Sequence, residues 1–201
     1  MEFKKMDLSI LNIASGKFNP LGIEELKRYF LVNLDIMYYS VSTPEEVEKA
    51  FDRWSKTERT INYCNEDVFK FLERTRIQFD KICIYRFLEH VQKTDVLYFI
   101  YLMSTALKIG GTIDCIVPNY KILAKRILEE DPFSKDFENE DIITTFELLN
   151  DVNNPHASVW TKDRANFFFT YEKRFEITHI DENFKFDGRD LYLRFKAKRI
   201  K

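Results

Sequence analysis

Only five glycines and five prolines occur in 201 residues, so the chain holds few of the residues that make flexible or sharply turning connections, and a low-complexity disordered character is excluded. Cysteine is scarcer still. Cys64, Cys83 and Cys115 lie far apart, each inside an apolar strand-like run and none with a second ligand at metal spacing. They read as reduced core thiols, neither a disulfide framework nor a zinc site. Nowhere are there the roughly 18 uninterrupted apolar residues that a membrane span needs. The opening MEFKKMDLSILNIASG has basic residues before an apolar run, but that run is short, includes Asp7 and lacks a cleavage site. A soluble, cytoplasmic protein is expected. An excess of either charge is missing too: a net charge of -2 offers no global attraction to nucleic acid or to an anionic membrane.

What the chain does have is aromatic and apolar mass. Nineteen Phe and ten Tyr within a 45% hydrophobic composition supply one continuous core, in a chain the size of one domain. The abundance of Lys, Ile, Asn, Phe and Tyr fits an AT-rich bacterial or phage genome.

Residues 8–13 are a short apolar run closed by Ala14-Ser15-Gly16, the pattern of a buried parallel strand followed by a tight turn. Residues 23–29 allow about two helical turns before FLVNLDI, at 30–36, gives a second strand. Ser42-Thr43-Pro44-Glu45-Glu46 starts a helix with a hydroxyl cap, a first-turn proline and acids at the positive dipole end. Strands are then expected at 60–64, 79–85 and 112–117, with helices at 66–74, 95–107 (stopped by Gly110-Gly111) and 120–130. Residues 131–160 read as an acidic, cap-like insertion with a helix near 139–149, and another helix covers 161–171. The last strands, 175–180 and 191–198, are joined by a turn containing Asp187-Gly188, too short for a crossover, so they pair antiparallel. The expected architecture is a single α/β domain over 1–201: a Rossmann-like, doubly wound seven-stranded sheet, mostly parallel with a C-terminal antiparallel ribbon, and helices on both faces.

In such sheets a ligand sits beyond the carboxyl ends of the strands, where the crossovers change direction. At the end of the first strand Ala14-Ser15-Gly16 lets a ligand approach the backbone closely. Nineteen residues after Gly16, Asp35 ends the second strand, where a carboxylate accepts hydrogen bonds from ribose hydroxyls. Together they indicate a nucleoside site. The full dinucleotide fingerprint is missing, since the next glycine is Gly22, which disfavours NAD and FAD. A cofactor without pyrophosphate, such as S-adenosylmethionine (SAM), needs fewer glycines.

The segments LNIASG, VNLDI, YRFLEHV, LKIGGTIDCIVPNY and RDLYLRFKAKR, in that order over residues 8–199, resemble class I SAM-dependent methyltransferases of the methyltransferase 11-like group. The strongest parts are Leu88-Glu89-His90 and the stretch from Gly110-Gly111 to Pro118. The resemblance implies SAM as cofactor, with Ala14, Ser15 and Gly16 along its methionine part, Asp35 on the ribose and Asp67 and Val68 on the adenine side. Tyr85 and Arg86 would border the cofactor and the substrate mouth. The implied function is methyl transfer to a small-molecule or saccharide acceptor. Ala14 stands where the family has glycine, so crowding of the cofactor or an ordinary backbone angle is expected there. With the short first helix and the acidic surface, this motivates the alternative of a methyltransferase-like fold that has lost catalysis and serves as a binding or assembly module. NAD-dependent chemistry is a third, minor reading.

Glu89 and His90 suggest an acid/base pair, but neighbours on a helix point in different directions, and a structural role is expected. His156 and Trp160, spaced i and i+4 in HASVW, are candidates to face the substrate over the site mouth. Phe167-Phe168-Phe169 reads as helix core. The acids of the insertion, among them Glu138, Glu140 and Asp141, would repel a phosphate backbone, which argues against nucleic acid. No Asn-Pro-Pro-Tyr signature of amino methylation is present, so an oxygen acceptor is the expectation. The sequence assigns no general base and no metal ligand.

Overall fold

Runs that are apolar on both sides make the middle of the sheet, because central parallel strands are covered on both faces. In the computed structural model, which describes residues 8–14, 20–22, 26, 28–35, 42–54, 59–129, 156–186 and 188–201, these are β1 (Leu8–Ile13), β2 (Tyr29–Leu34) and β4 (Phe79–Tyr85). Between the second and fourth comes β3 (Arg59–Cys64), whose exposed and half-buried residues alternate as on an edge. Then follow β5 (Leu107–Pro118), β6 (Phe175–Phe186) and β7 (Arg189–Arg199). The order across the sheet is β3-β2-β1-β4-β5-β7-β6; the first five are parallel, and β7 pairs antiparallel with both β5 and β6, which gives the expected C-terminal ribbon. The chain therefore reverses its direction of winding between β1 and β4, which is where an open α/β sheet leaves a crevice.

Alternation along the strands divides the core between the two faces. Leu11, Ile13, Phe30 and Val32 pack on one side, and Ile10, Leu31, Cys83, Tyr85 and Ile116 on the other. All three cysteines are free and buried. Helix α1 (Pro44–Arg53) opens with a complete capping box, Thr43 bonding the Glu46 amide and the Glu46 carboxylate bonding the Thr43 amide. Around the sheet lie α2 (Val68–Arg74), α3 (Val96–Ala106), α4 (Tyr120–Glu129) and α5 (Lys162–Thr170). In α5 Phe168 and Phe169 are buried as expected, whereas Phe167 is exposed. No described helix is long and apolar enough to cross a membrane.

Gly110-Gly111 does not stop a helix at the start of a short strand. The helix ends at Ala106 and both glycines lie inside β5. Gly110 has φ +81°, and a Cβ on Gly111 would meet the Asp80 carbonyl at 3.0 Å. The pair thus carries an irregularity in the β4–β5 register between Phe79 and Lys81. The C-terminal ribbon is longer than expected, because β6 runs past the expected 175–180 to Phe186 through residues that are mostly solvated and that hydrophobicity alone does not mark as strand. Ser15, Gly16, most of the expected first helix and the 131–155 part of the insertion lie outside the described residues.

Candidate functional site

The carboxyl ends of β1, β2 and β3 and the loop after β4 form an open cleft lined by Ala14, Leu34, Asp35, Glu66, Asp67, Val68, Phe69 and Phe87. Four of the residues singled out from the sequence, Ala14, Asp35, Asp67 and Val68, thus meet in one place. Their convergence follows from parallel strands ending on a common edge at the switch point. Ala14 has φ +48°, so it does not take the ordinary angle expected of a non-glycine residue. It keeps a left-handed conformation that costs an L-residue about 1–2 kcal/mol. Asp35 is half-buried, and its amide bonds the Cys64 carbonyl, tying the end of β2 to that of β3. Asp67 caps α2, its Oδ1 accepting from the Phe69 and Lys70 amides at 3.0 and 3.1 Å. Glu66 pairs with Arg74. Phe69 and Phe87 supply apolar walls, while Asp35, Glu66 and Asp67 make the polar lining wholly acidic among the described lining residues.

Tyr85 and Arg86 do not line this cleft. Tyr85 belongs to the core of the opposite face, where its hydroxyl accepts from the Leu21 amide and lies 3.4 Å from Asp114 Oδ2. Burial pushes its phenol far above the usual value. Arg86 is exposed and has φ +58°.

A second group lies across β4 and β5. After β4 a 3₁₀ turn, Leu88–His90, presents Glu89 and His90. The segment 156–161, which precedes α5 and is not helical, folds back over this turn: the Ser158 amide bonds the Glu89 carbonyl at 2.9 Å, and Ser158 Oγ bonds the Leu88 carbonyl at 3.1 Å. His156 is thereby held against His90, with ring centroids 4.8 Å apart, and its Nδ1 is 2.6 Å from Tyr120 Oη at the start of α4. Glu89, His90 and His156 bring ligand atoms within 4.8 Å of one another. Burial drives the Glu89 carboxyl up to about 8 and the His156 imidazole down to about 4, the latter aided by His90 and Arg86.

Two expectations are corrected here. Trp160 does not face a substrate: it is fully buried, stacks on Phe195, and donates Nε1–H to Ser158 Oγ at 2.8 Å and the Leu88 carbonyl at 3.3 Å. An amphipathic side chain with both needs met inside is a core residue. Glu89 and His90 do converge, because the tight 3₁₀ turn is not the α-helix that adjacency implied and because the third member comes from far along the chain. Reading the sequence locally missed this group. The one signal was a His in each of two segments expected near the same sheet edge.

The sequence matches no protein-family model and no curated protein. The fold is nevertheless shared with solved methyltransferases. The structure of the plantazolicin methyltransferase BamL matches with a TM-score of 0.59 at 10% identity over 100% of this chain and 80% of that one. The N-methyltransferase NodS of Bradyrhizobium japonicum matches at 0.54 and 15%, over 96% and 86%. A SAM-dependent methyltransferase of Methanosarcina mazei matches at 0.55 and 17%, over 96% and 93%.

Proposed function

We propose that this chain, whose fold is that of class I SAM-dependent methyltransferases, binds SAM in the cleft at the ends of β1, β2 and β3 and transfers its methyl group to a small-molecule acceptor. The observation that carries the proposal is the lining of that cleft. Between the apolar walls of Phe69 and Phe87, Asp35, Glu66 and Asp67 bring carboxylates, Glu66 paired with Arg74, and the described lining residues include no cation. Such a cleft repels a dinucleotide pyrophosphate and suits a nucleoside that carries a positive sulfonium and ribose hydroxyl donors.

In this reading Asp35 accepts from the ribose, Val68 and Phe69 flank the adenine, Asp67 contributes its remaining carboxylate oxygen, and the Ala14-Ser15-Gly16 turn follows the methionine part. Tyr85 and Arg86 act only through the backbone at the end of β4. When bound, SAM supplies an activated methyl group open to in-line displacement, so the chain's task is alignment and exclusion of water. BamL and the 1,6-didemethyltoxoflavin N1-methyltransferase of Burkholderia thailandensis were crystallised with S-adenosylhomocysteine (SAH) and small-molecule ligands, which supports a small-molecule acceptor here.

Calorimetric titration with SAM and SAH tests the reading. Wild-type protein is expected to bind both, and Asp35→Ala to bind about 10- to 100-fold more weakly, the cost of losing a hydrogen bond to a charged group. Failure of the wild type to bind either, with NADH binding instead, would overturn it. The scaffold alternative requires no SAH binding by the wild type, and the same titration decides between the two.

A further inference from the structure

Glu89 is 1% exposed, and its Oε2 has no hydrogen-bond partner among the described residues. A buried carboxylate oxygen without a donor is costly to fold around. Beside it stand two imidazoles that offer lone pairs, His90 and His156, in a group no wider than 4.8 Å between ligand atoms. Two remedies are open to such a group, a proton on the Glu89 carboxyl or a metal cation held by all three side chains, and the convergence of three ligand atoms favours the second.

We propose that Glu89, His90 and His156 form a binding site for one first-row divalent transition cation. Two nitrogens and one carboxylate oxygen suit Zn²⁺, Co²⁺ or Mn²⁺, whereas Mg²⁺ and Ca²⁺ take oxygen ligands. Three protein ligands leave coordination positions open, as in catalytic sites and unlike closed structural ones. The surroundings are those of a ligand histidine. The His156 Nδ1 lies 2.6 Å from Tyr120 Oη, which fixes the ring, and in the tautomer that carries its proton on Nδ1 and donates it to that oxygen the lone pair sits on Nε2. The half-buried His90 gives the group its exposed side, since Glu89 and His156 are both buried.

The place of the site gives the cation its use, a step that rests on the methyltransferase reading above. The 3₁₀ turn follows β4 and Tyr120 follows β5, so the group lies on the same carboxyl edge as the cleft, on the far side of β4 from β1 and β2. A cation there would hold an acceptor hydroxyl and ease the loss of its proton to solvent near neutral pH. The acceptor class is thereby narrowed to molecules with a hydroxyl group beside a second oxygen able to share the metal.

The test uses the full chain without an affinity tag, stripped of metal and dialysed against Zn²⁺ or Co²⁺, with Mg²⁺ as the comparison, followed by elemental analysis and the visible spectrum of the Co²⁺ form. One Zn²⁺ or Co²⁺ per chain is expected, with Co²⁺ bands of a low-coordinate nitrogen and oxygen site. Glu89→Gln and His90→Gln are each expected to abolish stoichiometric binding, and Tyr120→Phe to weaken it about tenfold. Because His90 is half-buried, His90→Gln keeps the test decisive should a change at Glu89 or His156 disturb folding. Absence of stoichiometric Zn²⁺ and Co²⁺, retention of either by both Gln variants, or preference for Mg²⁺ would overturn the site. Titration of the same samples with SAH separates the two proposals: a chain that takes the cation but not SAH removes the methyltransferase reading and keeps the site, and a chain that takes SAH but no cation removes the site alone.

Discussion

The two halves of the sheet's carboxyl edge are built in opposite ways. On the β1-β2-β3 side the cleft is assembled by strand ends, with lining side chains such as Asp35 and Asp67 half-buried or exposed. On the β4-β5 side the Glu89, His90 and His156 group is mostly buried and is held by hydrogen bonds from Ser158 and Trp160 to carbonyls some seventy positions earlier in the chain. Topology alone places the first, whereas long-range packing places the second. Side-chain changes in the cleft should therefore alter binding and spare stability, and changes beneath the buried group should do the reverse.

The largest effect expected is from Trp160→Ala. The indole is fully buried among Phe168 and Phe195 and carries two hydrogen bonds, so its loss should cost about 3–5 kcal/mol and lower Tm by roughly 10 °C or more. Below its own Tm the variant should still bind SAH as the wild type does. Loss of SAH binding in a folded variant would show that the halves are coupled and break the comparison.

Next comes the ion network that ties the β4-β5 side together. Asp114, 2% exposed, takes Arg194 in a two-pronged contact at 2.9 and 2.8 Å and Lys81 at 3.3 Å, joining β4, β5 and β7. Burial by itself would raise its carboxyl, but the Arg194 hydrogen bonds and the charge of Lys81 outweigh that and hold it below the usual value. A carboxyl depressed in the folded state adds stability at neutral pH that begins to fade near the unfolded value of about 3.9 and is gone once pH falls below the folded one. Asp114→Asn should cost about 3 kcal/mol at pH 7, since it strips a buried pair of one charge. Urea denaturation repeated from pH 7 to pH 3 should show the gap between variant and wild type narrowing in acid. A gap that stays constant would mean the network contributes packing and not charge.

Asp35→Ala is expected to have the reverse profile, with SAH affinity reduced about 10- to 100-fold and Tm within a few degrees of wild type. A large loss of stability would place Asp35 with the packed half of the edge.

The same contrast accounts for what the sequence made legible. The succession of strands along the chain and the cleft could be read because they depend on local signals: apolar runs, the small-residue turn at Ala14, an acid ending β2, a capped helix at Thr43. Glu89 with His156 could not, since no periodicity links positions so far apart, and the i, i+4 spacing of His156 and Trp160 suggested a shared substrate-facing side when burial puts Trp160 in the core. Gly110-Gly111 was misplaced for a related reason. Two glycines after an apolar helix look like a stop signal, and only the neighbouring β4 backbone, 3.0 Å from where a Cβ would sit, shows that they serve strand pairing. Of β6 only the first half, 175–180, could be read, and its continuation to Phe186 is mostly solvated.

The smallest effect and the finest test fall on Ala14. At φ +48° glycine removes a backbone cost of about 1–2 kcal/mol, against which stand roughly 0.4–1 kcal/mol of added freedom in the unfolded chain and the loss of a methyl that packs on the core. These nearly cancel, so Ala14→Gly should shift Tm by no more than about 3 °C. Its effect on SAH should be clearer, because the same methyl group lines the cleft: affinity should rise severalfold if the methyl narrows the cofactor's path. Tighter SAH binding at unchanged stability would place Ala14 wholly with the cleft. A fall in Tm of many degrees, with affinity unchanged, would mean that the methyl is a packing contact and that the boundary between the two halves runs through β1 itself.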